Sequence, residues 1–115
     1  MAVRIQQTGE VLSAYLSGEL DHHAAKEMRE QIDSALDLNM PTLLIIDFTD
    51  GGFMDSSGLG LILGRLALAE KMQCRLRLCD LSPRIERILL MAGIERLSGI
   101  TIDREKKENT CENRR

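Results

Sequence analysis

Two adjacent hydroxyls, Ser56 and Ser57, lie between a carboxylate, Asp55, and the small-residue run Gly58-Leu59-Gly60. The apolar stretch Leu43-Leu44-Ile45-Ile46-Asp47-Phe48 precedes them and reads as a buried strand. Leu59, Ile62, Leu63 and Leu66 follow at intervals of three and four, the spacing of an amphipathic helix. A serine at such a junction can cap the helix by accepting from orphan backbone N–H groups. The same N–H groups and the positive end of the helix dipole also make a seat for phosphate. On the residues alone both roles are open. A serine nucleophile is a third chemistry, but it needs a G-x-S-x-G elbow and a matched base. Met54-Asp55-Ser56-Ser57-Gly58 does not supply the elbow, and the G-x-x-x-x-G-K-[ST] phosphate loop is missing. No catalytic residue is assigned, and the chain is read as no enzyme; a small serine hydrolase is the alternative from another class. His22 and His23 point about 100° apart on a helix, so no metal site is expected from them.

The elements that position these groups follow from pattern. Val3-Arg4-Ile5 alternates and predicts a short strand. Thr8-Gly9-Glu10 is turn chemistry, and Val11 to Leu16 predicts a second strand in a hairpin with the first, ended by Gly18. Asp21 is placed to cap a helix over 22–38, whose apolar face is Ala25, Met28, Ile32, Ala35 and Leu36. Glu27, Arg29, Glu30 and Asp33 are expected to face outward. Residues 42–48 form the central strand, and Thr49-Asp50-Gly51-Gly52 reads as a loop. The second helix spans 57–72. The strictly alternating Cys74-Arg75-Leu76-Arg77-Leu78-Cys79 is a strand with Leu76 and Leu78 inward. Ser82 and Pro83 start a third helix, Gly93 ends it, and 97–102 supplies a last short strand. The expected fold is α/β: a single domain over 1–103 with a small mixed β-sheet and α-helices packed on it, then a polar tail over 104–115.

On the second helix, Leu59, Ile62, Leu63 and Leu66 fall on one side and Gly60, Leu61, Gly64 and Leu68 on the other. The second face is apolar and glycine-bearing. It serves either a partner surface or packing against a neighbouring helix.

Composition narrows the functional classes. The chain has 115 residues, three aromatic side chains and a net charge of −3. Single-stranded nucleic acid is usually held by stacking aromatics in a basic groove, so no nucleic-acid role is expected. No apolar run is long enough to span a membrane. Cys74, Cys79 and Cys111 contain no CxxC pair and are read as thiols of a cytoplasmic protein.

Phe53-Met54-Asp55-Ser56-Ser57-Gly58-Leu59-Gly60, its continuation Ile62-Leu63-Gly64-Arg65, and the upstream Gly18-Glu19-Leu20-Asp21-His22-His23 closely resemble the STAS domain of anti-sigma factor antagonists of the sporulation type. The resemblance runs from Val3 to Ile102. It implies that Ser56 is a phosphoacceptor, and that the unphosphorylated form binds an anti-sigma factor and thereby releases a sigma factor for transcription. By the same resemblance the anti-sigma factor is an ATP-dependent serine kinase that switches the antagonist off at Ser56, and a serine phosphatase resets it. ATP belongs to the partner, so no cofactor is expected here. Asp21, Asp55, Ser57, Gly58, Gly60, Leu61 and Gly64 are the expected partner-binding residues. The alternative is a STAS signalling module of another partner-switching or stress-response complex. One departure from the family pattern is the glycine pair Gly51-Gly52 before the motif.

Overall fold

Gly9 takes φ +60° at the first turn, a left-handed backbone that costs glycine little. It joins β1 (Ala2–Thr8) to β2 (Val11–Leu20) in the expected antiparallel hairpin. The structure, a computed structural model, describes residues 2–54 and 56–103, and gives only the backbone for 2, 20, 51–54, 56 and 57. The predicted tail over 104–115 and Asp55 lie outside the described residues.

From β2 the chain enters α1 (His22–Asn39), returns along β3 (Leu43–Met54), and passes through α2 (Ser56–Lys71) to β4 (Arg75–Cys79). Helix α3 (Pro83–Met91), a 3-10 turn (Ile94–Arg96) and β5 (Ile100–Asp103) complete it. The sheet order is β1-β2-β3-β4-β5, with β1 antiparallel to β2 and the remaining pairs parallel. The mixed sheet with packed helices is thus the one expected.

Successive strand residues point to opposite faces. Leu12, Ala14 and Leu16 of β2, Leu44, Ile46 and Phe48 of β3, and Leu76 and Leu78 of β4 share one core with the helices. Met28, Ile32 and Leu36 of α1, Ile62 and Leu66 of α2, and Ile85 and Leu89 of α3 complete that core. On the alternate strand positions Ile45 and Cys79 form a smaller cluster with Val11 and Leu43. Ser82 caps α3 as expected, its Oγ accepting from the Ile85 N–H at 3.2 Å.

Two expectations are corrected. Residues 49–52 are strand rather than loop, because β2 runs on beside them: Ser17 pairs with Asp50, Gly18 with Gly51 and Leu20 with Met54. Gly18 therefore does not end β2. At φ +83° it sits within the strand, flanked by two register shifts, and a glycine takes up such an irregularity easily. Cys74 is a buried free thiol, as expected.

Candidate phosphorylation and docking site

The pairing of Leu20 with Met54 decides where the site lies. Strands β2 and β3 are parallel neighbours, so α1 and α2 begin side by side at the carboxyl end of the sheet. Ligands of open α/β sheets are generally bound at that end. Asp21 caps α1: its Oδ1 accepts the Ala24 N–H at 2.9 Å, and its carbonyl accepts the Ala25 N–H at 2.8 Å. Ser56 and Ser57 are the first two residues of α2. The backbone thus puts both hydroxyl-bearing residues at a helix N-terminus, and their side chains are not described.

Helices α1 and α2 pack against each other and leave a groove of about 560 Å³ between them. His22, Lys26 and Arg29 form its α1 wall at intervals of four and three residues, the spacing of one helix stripe. Gly60, Leu61, Gly64 and Arg65 form its α2 side. A Cβ built on Gly60 or Gly64 meets nothing within 4 Å, so the glycines leave the groove open rather than relieving a clash.

Arg65 is only 6% exposed. Its Nε lies 2.8 Å from Asp33 Oδ1. The approach is an ion pair without hydrogen-bond alignment, and Arg65 Nη1 has no hydrogen-bond partner among the described residues. Burial pushes the Asp33 carboxyl above its ordinary range, against the opposing pull of Arg65 and Arg29. Burial also lowers the Arg65 pKa; Asp33 opposes that, and Arg29 adds to it. A guanidinium nonetheless stays charged in proteins.

The expected partner-binding residues divide in two. Gly60 is exposed and Gly64 half-buried, both on the groove. Asp21 is exposed beside it at the start of α1. Gly58 and Leu61 are buried instead. Gly58 lies one turn before Ile62 on the stripe facing the sheet. Leu61, 4% exposed, packs into the core, while Leu63, expected inside, is 38% exposed. The physical reason is that α2 is covered on two sides, by the sheet and by α1. Asp55 lies outside the described residues.

Asp33 was expected to face outward, and Arg65 was singled out only as part of the motif. A lone arginine amid the apolar residues 58–69 is the sequence signal that could have revealed a buried ion pair. His22 and His23 are exposed, with ring centroids 6.3 Å apart. The described residues hold no cluster of three metal-binding side chains, and none of their helices is long and apolar enough to cross a membrane.

The STAS domain family matches residues 2–108. An anti-sigma F factor antagonist of Paenibacillus polymyxa is 39% identical over 90 residues, covering 78% of this chain and 77% of the relative. The structure of the anti-sigma factor antagonist SpoIIAA in its unphosphorylated form is similar with a TM-score of 0.75 at 31% identity, covering 97% of this chain and 96% of that one. The phosphorylated form of SpoIIAA, the Bacillus cell fate determinant, gives the same TM-score and identity, with 99% and 100% covered. The chain belongs to the STAS domain family, among its anti-sigma factor antagonists.

Proposed function

We propose that this chain, when unphosphorylated, binds an anti-sigma factor and so frees a sigma factor, and that phosphorylation of Ser56 ends the interaction. The observation that carries the reading is the position of Ser56. It opens α2 at the carboxyl end of β3, in a domain that matches SpoIIAA over nearly its whole length in both its unphosphorylated and its phosphorylated form.

The physics of the switch follows from that position. A phosphoserine carries about −1.5 to −2 charges at neutral pH. At a helix N-terminus such charge is favoured by roughly 0.3–1 kcal/mol. The domain therefore tolerates the phosphate, and the cost falls on docking. A loss of about 2.8 kcal/mol weakens binding a hundredfold, within what like charges opposed across an interface cost.

In this reading the anti-sigma factor is also the serine kinase, a serine phosphatase reverses the modification, and the chain has no catalysis of its own. Residues 1–103 are the STAS domain, and 104–115 form a polar tail. The protein works in the cytoplasm beside the transcription machinery.

The test uses the cognate anti-sigma factor with ATP, mass mapping of the product, and binding assays of Ser56→Ala and Ser56→Asp. Phosphate on Ser56, retained binding by Ser56→Ala and about hundredfold weaker binding by Ser56→Asp are expected. Phosphate at another residue, or equal binding by the two variants, refutes the reading.

A further inference from the structure

We propose, building on that function, that the cationic groove between α1 and α2 receives an acidic segment of the anti-sigma factor, with a partner carboxylate meeting Arg65. Three observations lead there. The first is chemical. Arg65 is 6% exposed, yet its Nη1 finds no acceptor among the described residues. Buried polar groups are nearly always paired; Arg65 lines the groove, so a shift of its guanidinium toward an acceptor brought in by the groove's occupant would satisfy a nitrogen now without one. The second is electrostatic. The groove is lined by Lys26, Arg29 and Arg65 and by no acidic residue among those described, in a chain whose net charge is −3. Asp33 stands behind Arg65 and offsets part of the charge.

The third is shape. A groove of about 560 Å³ with Leu61 in its lining and open space over Gly60 and Gly64 has room for several side chains and a close-lying backbone. That is more than one small anion fills, so a peptide segment is the better fit.

The groove also connects to the switch. Gly60 follows Ser56 by four residues, about 6 Å along a helix at about 1.5 Å per residue. A phosphate on Ser56 would place a rival anion one turn from the groove, where it repels an incoming carboxylate and competes for the same cations.

The experiment measures the affinity of the purified full chain for the cognate anti-sigma factor at two salt concentrations. The variants are Lys26→Glu/Arg29→Glu and the milder Lys26→Gln/Arg29→Gln. Both positions are exposed, and a thermal melt confirms that each variant folds; if the reversal pair does not fold, the glutamine pair decides. The reversal pair is expected to bind about a hundredfold more weakly and the glutamine pair about tenfold, both with a shallower salt dependence. Wild-type affinity and salt dependence in the folded variants, with Ser56→Asp still losing the partner, overturn the groove and leave the switch standing. A wild-type chain that does not bind the anti-sigma factor overturns both.

Discussion

Arg65 Nε lies 2.8 Å from Asp33 Oδ1, tying α2 to α1 through two side chains of unequal burial, 7% and 34% exposed. The inequality makes the pair asymmetric to mutation. Asp33→Ala leaves a buried guanidinium without the carboxylate that faces it, at a cost of about 3–5 kcal/mol. Arg65→Met fills the space with an apolar chain and leaves an Asp33 that water can reach, so its cost is expected within about 1 kcal/mol. Urea unfolding of the two variants measures the difference. Equal losses would mean that the ion pair contributes by mutual attraction rather than by sparing Arg65 from isolation.

Leu61 and Gly64 are neighbours on α2 with opposite expected responses. Leu61→Ala empties a core position and is expected to cost about 2–5 kcal/mol. Gly64→Ala adds a methyl where nothing lies within 4 Å, in a helix interior where alanine is favoured by roughly 0.5–1 kcal/mol. Thermal melts followed by circular dichroism should move in opposite directions. A destabilised Gly64→Ala would show that the groove is narrower than described.

Asp21 caps α1 through its carboxylate. Asp21→Ala is expected to lose about 0.5–2 kcal/mol, while Asp21→Asn keeps an acceptor and stays close to wild type. If the asparagine variant keeps its stability but binds the partner more weakly, the charge of Asp21 has a docking role beyond the cap.

Asp47 gives a pH signature. It is buried on β3, and its Oδ1 accepts the Thr49 N–H at 2.8 Å. Burial raises its pKa above 3.8; the Thr49 hydrogen bonds oppose the rise, and Asp80 and Asp50 add to it. The folded state therefore holds this proton more tightly than the unfolded chain does. Its stabilising effect is complete below the unfolded value and is lost as pH climbs through the raised one. Asp47→Asn removes the ionised form, so its stability relative to wild type should be greatest at neutral pH and shrink as pH falls toward 4. Urea midpoints at several pH values test this, and a gap that ignores pH would assign the cost to something other than ionisation.

Much of the fold was legible because local signals agreed with tertiary packing. The Gly9 turn, the Asp21 and Ser82 caps and the alternation around Leu76 and Leu78 each fix an element by themselves. Thr49-Asp50-Gly51-Gly52 misled because turn chemistry is a local preference, and strand context depends on what lies alongside. The adjacent β2 extends to Leu20 and pairs with that segment. Leu63 is exposed against expectation, and Leu61 took the packing role of the two left open for it, because helical periodicity identifies an apolar face without saying how many neighbours cover it. The Asp33–Arg65 pair joins residues 32 positions apart, a separation that neither helix's own pattern reports. The placement of Ser56 at a helix start was readable from the junction alone.

The hairpin turn at Gly9 and the start of α2 stand at opposite ends of β2, which has ten residues. At about 3.3 Å per step its nine steps span at most about 30 Å. A fluorescent dye tethered to exposed Glu10 will accordingly tumble clear of the docking end, so the protein can be labelled there for anisotropy titrations without the probe shading the contact it is meant to report.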